Sequence, residues 1–254
     1  LGSFNDKKNF IFKNLKKNIN LDFITKKLSP TIIKSKIIDS SNNSKLIGLY
    51  DFNDRNLSID EESSFFSKIN KNIKKYDIVI VSDYGHSFIS QKIVNYLSKK
   101  KNVIVNTQLN SANLGYHTIG KYKNSNWAII NEVELRHELR DRYTNVKTLM
   151  IRLSQKLMIK NLIVTAGKNG SYCYSSKSKN IIHCPAFASN IVDKIGSGDS
   201  FMAIFSIMNR CFPKNRLITL FLSSLATTQV LEGFGNENSI KLTNLLKAIK
   251  YILK

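Results

Sequence analysis

The sequence has few acidic residues, few cysteines and no apolar run long enough to cross a membrane. Its longest uncharged stretch of interest, residues 217–231, has fifteen residues, whereas a membrane-spanning helix needs about 20. We therefore predict that this stretch forms a buried helix. Lysines and asparagines repeatedly interrupt residues 1–20, which do not resemble a signal peptide. With 42% hydrophobic and 22% charged residues, the composition favours a globular protein without a membrane partner.

The three cysteines, Cys173, Cys184 and Cys211, show no CxxC spacing. Because an odd number of cysteines cannot all pair, we predict reduced thiols and a cytoplasmic location. The four histidines are scattered along the chain, and this spacing disfavours a zinc site.

The 18 acidic residues face 39 basic ones, which gives a formal net charge of +21. This surplus raises the hypothesis of nucleic-acid binding. Only 7 of the basic residues are arginines, the type favoured for bidentate phosphate and base recognition, and the lysines are spread along the chain. Enrichment in Lys, Asn and Ile explains the charge better, so we predict no nucleic-acid partner. The surplus also suits small anionic substrates.

Continuous apolar runs alternate with amphipathic segments in the central part of the chain. The runs that predict buried strands are residues 77–82, 103–106, 127–131 and 161–166. The segments that predict helices are residues 10–15, 21–28, 61–75, 90–99, 144–158, 200–209, 217–231 and 240–253, with Pro30 ending any helix before it. Residues 31–39 and 45–52 predict a β-hairpin, and residues 170–174 and 181–186 predict a short antiparallel pair. The alternation predicts one α/β domain over residues 1–254 with a mainly parallel sheet.

The most informative segment is Gly196-Ser197-Gly198-Asp199, followed by the apolar run of residues 201–208. Glycines allow a close approach of the backbone to an anion, and the helix that follows directs N–H groups and its positive dipole end at that anion. A carboxylate beside such N–H groups can accept a hydroxyl proton while the backbone donors offset the charge of a transferring phosphoryl group. Taken alone, the same residues also fit a glycine-rich turn with an aspartate cap.

This segment, extended back to Asp193, resembles the C-terminal signature of the PfkB (ribokinase-like) carbohydrate kinases, Asp-Thr-x-Gly-Ala-Gly-Asp. Ser197 replaces the alanine of that signature and Lys194 the threonine. The resemblance implies a three-layer α/β/α fold with a small β-hairpin lid, and an ATP-dependent phosphotransferase that acts on an alcohol group of a sugar. It implies that Asp199 is the catalytic base, that the N–H groups of Gly196, Ser197 and Gly198 form an anion hole, and that Asp193 belongs to the nucleotide site.

Two further segments resemble motifs of this family. Asn131 and Glu134 match its N-x-x-E motif, which acts through Mg²⁺ and phosphate, and they share a face at a predicted helix start. A helix cap with an acidic first turn explains the same pair. Thr165, Gly167 and Gly170 match a T-x-G-x-x-G that borders the nucleotide, although an ordinary turn would use the same residues. The resemblance also places adenine near Ala226.

A narrower resemblance concerns the heptose-phosphate kinases related to the kinase domain of the bifunctional heptose kinase/adenylyltransferase. Residues 31–36, 81–86 and 106–108 carry it. It implies phosphorylation of D-glycero-D-manno-heptose 7-phosphate at its anomeric hydroxyl. Asp83, at a predicted strand end, and Lys34 and Lys36, on the predicted lid, become candidate sugar-binding residues. Solvated lysines on an edge strand are an equally good interpretation of Lys34 and Lys36.

The early strands and the Gly-Gly sugar motif of the family have no counterpart here, and the chain does not begin with Met. We therefore expect an N-terminally incomplete kinase domain, with the lid at residues 31–52 and the nucleotide-binding and catalytic core at residues 77–254. This chain by itself is expected to phosphorylate sugar poorly. The resemblance implies a homodimer through the lid and a nucleotidyltransferase as a fused or partner domain. A kinase of another sugar or of a nucleoside, and a non-catalytic nucleotide-binding module, are the alternative interpretations.

Overall fold

The computed structural model of the chain describes residues 1–4, 7–16, 18–42, 44–235 and 237–252. The predicted end of the last helix at Leu253 lies outside the described residues. The backbone divides into two compact units, one made of residues 1–75 with 86–90 and the other of residues 76–85 with 91–254. The assignment of the whole chain to one kinase domain stays a prediction.

The described residues of the first unit form four short strands and two helices. They are β1 (Gly2–Phe4), α1 (Lys8–Asn14), β2 (Lys26–Pro30), β3 (Ile33–Ile38), β4 (Lys45–Asp51) and α2 (Ile59–Asn72), followed by a 3₁₀ turn at Ile73–Lys75. Strands β1 and β2 pair in parallel, whereas β3 and β4 form the predicted antiparallel hairpin. Helix α2 begins with a capping box in which Ser58 and Glu61 each accept a hydrogen bond from the other's backbone N–H.

The prediction of a helix at residues 21–28 is wrong. This segment leads into β2, whose Lys26 N–H donates to the carbonyl of Leu1. The Lys26 ammonium also donates to the backbone carbonyls of Asn53 and Arg55. These partners are distant in sequence, and such tertiary contacts override a local helical pattern.

The β3–β4 hairpin has two chemically different faces. Its register pairs Ile37 with Ile47 and Ser35 with Leu49, so the three apolar side chains share one face. They are strongly exposed, at 46% for Ile37 and 54% for both Ile47 and Leu49. Lys34 and Lys36 lie on the opposite face, where the Lys34 ammonium is 5.4 Å from the centroid of the Tyr50 ring.

The second unit is built around one six-stranded sheet. Its strands are β5 (Val79–Asp83), β6 (Val103–Thr107), β7 (Trp127–Asn131), β8 (Asn161–Thr165), β9 (Ser171–Ser175) and β10 (Asn180–Cys184). Its helices are α3 (Gln91–Ser98), α4 (Glu132–Leu139), α5 (Val146–Leu157), α6 (Ser197–Cys211), α7 (Arg216–Leu231) and α8 (Leu242–Ile252), with 3₁₀ turns at Ile119–Lys121 and Gly167–Asn169. The strands lie in the order β10-β9-β8-β7-β6-β5; β5 to β8 run parallel, and β9 and β10 complete the sheet with antiparallel pairs.

Helices cover both faces of this sheet, as the continuous apolar runs require. One face carries Ile129 and Ile163, which pack in a buried cluster with Phe201 and Phe205 of α6 and Leu220 of α7. The alternating residues of the same strands point the other way, where α3, α4 and α5 contact β6, β7 and β8. The predicted three-layer α/β/α arrangement with a mainly parallel sheet is therefore confirmed.

The element predictions for the second unit are confirmed within a few residues. The predicted buried helix at residues 217–231 is α7, whose buried positions include Leu220, Leu225 and Val230. No helix among the described residues combines the length and the hydropathy that a membrane span requires. Helix α6 differs most from its predicted bounds, because it begins three residues earlier than the predicted start at Ser200.

Candidate active site

The carboxyl ends of β5 to β8 meet at one edge of the sheet. The register places Asp83 beside Thr107 and Asn131 beside Thr165. Three of the predicted site residues, Asp83, Asn131 and Thr165, are therefore the last residues of neighbouring strands. In open parallel sheets ligands bind outside this edge.

The turn before α6 supplies the backbone donors of the site. Gly196 is the N-cap of α6 with φ of 74°, a left-handed conformation that glycine adopts without a steric penalty. Because the helix begins at Ser197, Gly198 and Asp199 lie inside its first turn rather than before it. The Ser197 N–H donates to the Lys194 carbonyl at 3.3 Å. The other N–H groups at the start of a helix lack acceptors within the helix, so this turn can bind an anion.

Asp193 stabilises this turn through two hydrogen bonds. Its carboxylate accepts hydrogen bonds from the backbone N–H groups of Ile195 and Gly235, each at 3.2 Å. These two bonds link the segment before α6 to the loop after α7, and the Asp193 side chain is buried between them. Its predicted membership of the nucleotide site stays a prediction.

Both carboxylate oxygens of Asp199 accept hydrogen bonds from neutral side chains. Gln108 Nε2 lies 2.5 Å from one oxygen, and the Tyr84 hydroxyl lies 3.2 Å from the other. Burial, together with the charge of Asp199, raises the pKa of Tyr84, so its phenol stays protonated and donates at physiological pH. Asn113 Nδ2 donates to the carbonyls of both Tyr84 and Gln108, at 2.9 and 2.8 Å, and so ties the two loops together.

Sequence reasoning did not assign Tyr84 and Gln108 to the site. Two signals were available. Both residues lie in segments 81–86 and 106–108, which carry the narrower resemblance. Gln108 also directly follows the last residue of β6, and Tyr84 directly follows β5. Polar residues immediately after parallel strands are candidates for the ligand edge of the sheet.

Asn131 and Glu134 form a capping box at the start of α4. Asn131 Oδ1 accepts from the Glu134 N–H and a Glu134 oxygen accepts from the Asn131 N–H, both at 2.8 Å. The other Glu134 oxygen accepts from the Leu109 N–H at 3.1 Å. The hydrogen bonds from these donors lower the pKa of Glu134, but burial outweighs them and raises it. The nearby charge of Asp199 adds to the rise. The helix-cap interpretation is therefore correct as local structure.

A magnesium ion fits this pair only through bridging water molecules. Each of the three side-chain oxygens already accepts a backbone N–H, which leaves further lone pairs for water. Among the described residues no group of three or more His, Cys, Asp or Glu side chains could hold a metal ion directly. Mg²⁺ usually keeps several waters, so contact through water suits both the ion and these residues.

The segment from Thr165 to Gly170 closes a tight turn after β8. The Ala166 N–H donates to the Gly170 carbonyl at 2.8 Å. A side chain at Gly167 would meet no atom within 4 Å, whereas a Cβ at Gly170 would lie 2.1 Å from the carbonyl oxygen of Cys184. Gly170 thus has a packing role and Gly167 borders open space. The nucleotide contacts of Thr165, Gly167 and Gly170 stay predictions.

Two other predicted residues, Asp83 and Ala226, have no open side chain. The Asp83 carboxylate is buried and pairs with the Tyr122 hydroxyl at 2.8 Å and the Lys121 ammonium at 2.6 Å. Ala226 is fully buried in a cluster with Leu225 and Leu245, which leaves it no open face for adenine. The sugar and adenine contacts of these two residues stay predictions, as do those of Lys34 and Lys36 on the hairpin.

The arrangement around Asp199 can accept a proton from a hydroxyl. Gln108 and Tyr84 hold its carboxylate, and N–H groups of the same helix turn can offset negative charge a few ångströms away. A proton acceptor next to an anion hole is the combination that phosphoryl transfer to an alcohol requires.

Comparisons with known proteins agree with this chemistry. The sequence profile described as pfkB family carbohydrate kinase matches residues 1–206. The bifunctional protein HldE of Campylobacter curvus is 23% identical over 184 residues, covering 71% of this chain and 38% of the relative. The chain therefore spans about two fifths of the length of this curated relative.

Solved structures share the fold over nearly the whole chain. Ribokinase from Giardia lamblia superposes with a TM-score of 0.74 at 14% identity, covering 99% of this chain and 81% of that one. Arabidopsis thaliana ribokinase complexed with ribose and ATP gives a TM-score of 0.68 at 17% identity, covering 91% and 73%. At these identities the likeness shows the fold, and the predicted ribokinase-like fold is confirmed.

Proposed function

We propose that this chain, which belongs to the pfkB family of carbohydrate kinases, transfers the γ-phosphate of ATP to a hydroxyl of a sugar phosphate. The observation that carries the proposal is Asp199, held by two neutral donors in the first turn of α6. The acceptor we favour is D-glycero-D-manno-heptose 7-phosphate at C1. The support for it is the resemblance at residues 31–36, 81–86 and 106–108, together with the likeness to HldE.

In the proposed mechanism Asp199 removes the proton of the acceptor hydroxyl as that oxygen attacks the γ-phosphorus. The N–H groups of the Gly196–Gly198 turn stabilise the charge on the phosphoryl oxygens. Mg²⁺, when bound, neutralises charge on the ATP phosphates. Asn131 and Glu134 would hold such an ion through its water molecules, and Thr165 and Gly167 would border the phosphates. Tyr84 and Gln108 keep the Asp199 carboxylate aimed at the acceptor.

The experiment that tests this function measures ADP release from MgATP in the full-length natural protein with a panel of sugars and sugar phosphates. Release that requires heptose 7-phosphate supports the proposal. Release with ribose, a hexose phosphate or a nucleoside instead would place the protein elsewhere in the family. MgATP binding without release for any acceptor would favour a nucleotide-binding module that performs no chemistry.

Substitution of Gln108 by leucine is expected to lower kcat roughly 10- to 100-fold. This is the kinetic equivalent of the ~1.5–3 kcal/mol that a hydrogen bond to a charged group contributes. Tyr84→Phe removes the longer bond and should cost less. The KM for MgATP and the thermal midpoint should change little in either variant. Tyr116→Phe, at a 96% exposed tyrosine, is the matched control. Unchanged kcat in both site variants would show that Tyr84 and Gln108 do not contribute to catalysis.

Replacement of Gly198 by alanine is expected to move stability and activity in opposite directions. A Cβ here meets no atom within 4 Å, and alanine favours a helix over glycine by about 0.5–1 kcal/mol. The same methyl group occupies space through which a phosphate must approach the N–H groups of the turn. The thermal midpoint should therefore rise by about 1–4 °C, while the KM for MgATP increases. Unchanged kinetics would argue against a phosphate at this turn.

We also propose that the apolar face of the β3–β4 hairpin joins two copies of the protein. Exposed apolar patches of this kind mark association sites. Ile47→Asp should abolish the dimer in light scattering coupled to gel filtration, because it places a charge in the centre of that face. Lys36→Ala, on the opposite face, should leave association unchanged. A wild-type protein that is monomeric at all concentrations would refute the lid dimer.

We propose as well that a nucleotidyltransferase domain is fused to this chain or acts as its partner.

A further inference from the structure

A cavity of about 260 Å³ opens at the end of the sheet opposite to Asp199. Its walls come from the residues just before β5 and β6, from Trp127 at the start of β7, and from the last turns of α6 and the start of α7. A five-residue strand rises about 13 Å from its first to its last residue. The cavity is therefore separate from the carboxyl edge, where Asp199 lies.

The charged residues that line this cavity are mostly cationic. Lys101, Arg210 and Arg216 line it, against a single carboxylate from Asp77. That carboxylate pairs with Arg210 at 3.4 Å, and both partners are largely exposed at the rim. Lys101 and Arg216 remain as positive charges that Asp77 does not compensate.

Arg216 is the central group of the cavity. Its guanidinium carbon stacks 4.5 Å from the centroid of the Trp127 ring, and one of its nitrogens donates to the side-chain oxygen of Asn209. Burial lowers the pKa of Arg216, yet an arginine stays charged in proteins. Neither Trp127 nor Asn209 carries a negative charge. Among the described residues, no carboxylate lies within ion-pair distance of the partly buried Arg216 guanidinium. Such a charge is costly unless an anion compensates it.

We propose that this cavity binds a small phosphate-bearing anion, through Arg216 and Lys101. The planar fork of a guanidinium suits phosphate oxygens, and its stacking on Trp127 fixes the plane in which it donates. The volume lies just below the ~300–1,000 Å³ range of drug-sized ligand pockets. This size fits pyrophosphate or a sugar phosphate. The site lies outside the catalytic edge, so it is a second anion site and does not depend on the proposed function.

The chain carries its own reporter for this site, since Trp127 is its single tryptophan. Intrinsic tryptophan fluorescence of the full-length protein is titrated with inorganic phosphate, pyrophosphate and glucose 6-phosphate, and the same titration of Trp127→Phe is subtracted so that the signal reports Trp127. Potassium chloride at matched ionic strength controls for general screening, which matters for a chain of net charge +21. Isothermal titration calorimetry with pyrophosphate gives the affinity by a second route.

We expect a saturable fluorescence change with at least one of the three anions. Arg216→Gln and Lys101→Ala should each weaken binding about 10-fold or more, the usual effect of losing a charge-assisted hydrogen bond. Asp199→Asn should keep the response, because it alters the opposite edge of the sheet. Arg152→Gln, at an exposed arginine of α5 that pairs with Asp141, is the matched control and should bind like the wild type.

Two outcomes would overturn the proposal. One is the absence of any saturable response beyond that of potassium chloride. The other is a response that survives in Arg216→Gln and Lys101→Ala but weakens in Gly198→Ala, since the anion would then bind at the turn before α6. If Arg216→Gln does not fold, Lys101→Ala decides alone, because it leaves the Arg216–Trp127 stack in place.

Discussion

Replacing Asp199 with asparagine should lower kcat about 10²- to 10⁴-fold, the usual contribution of a general base. Asparagine keeps the shape of the side chain but no longer accepts the hydroxyl proton. Its amide oxygen can still accept from Gln108, and the Tyr84 hydroxyl, which donates to the carboxylate at 3.2 Å, can turn and accept from the amide nitrogen. The site should therefore stay assembled, and the affinity for MgATP should stay nearly unchanged.

The assay for this variant is ADP release under saturating acceptor, combined with a binding measurement for MgATP. Asp60→Asn is the matched control, because Asp60 also lies in the first turn of a helix, α2, and is exposed. That variant should keep its full kcat. If Asp199→Asn kept most of the wild-type rate, Asp199 would not be the base, and the proposed mechanism would fail with it.

The sequence predicted the sheet of the second unit well because its central strands are buried on both faces. Runs such as residues 127–130 are continuously apolar, and such a run can be recognised without knowledge of distant contacts. The start of α6 was placed too late because glycine disfavours a helix interior. In the structure Gly196 takes the left-handed N-cap position, which lets Gly198 enter the first turn. The helix predicted at residues 21–28 failed because pairing with β1 decides the conformation of that segment.

The residues of the candidate site also divide into those that the local sequence predicts and those that only the fold brings together. Asp199 could be found from the sequence because its neighbours Gly196 and Gly198 are local and carry their own chemistry. Its hydrogen-bond donors could not, because Gln108 and Tyr84 lie 91 and 115 residues away along the chain. Only the folded sheet shows that the loops after β5 and β6 converge on the start of α6. For Asn131 and Glu134, the sequence left the cap and the magnesium role open, and the structure shows that the cap uses the same oxygens.

Gly170→Ala should destabilise the fold strongly, by about 3 kcal/mol or more. Gly170 has φ of 80° and ψ of −140°, a conformation that alanine avoids. Its added Cβ would also lie 2.1 Å from the Cys184 carbonyl oxygen and 2.7 Å from the Pro185 carbonyl carbon. Both obstacles are backbone atoms at the end of β10, so relief requires that β9 and β10 separate. The thermal midpoint should fall by roughly 6–12 °C.

Gly167→Ala separates the two causes of this loss. Gly167 also has a positive φ, of 53°, but a Cβ there meets no atom within 4 Å. Only the backbone penalty of about 1–2 kcal/mol remains, and the midpoint should fall by roughly 2–8 °C. Thermal unfolding of both variants, followed by circular dichroism, measures the difference. Equal losses would show that the close approach of Gly170 to Cys184 does not limit the fold. A larger loss for Gly170→Ala, with weaker MgATP binding confined to Gly167→Ala, would assign packing to Gly170 and phosphate contact to Gly167.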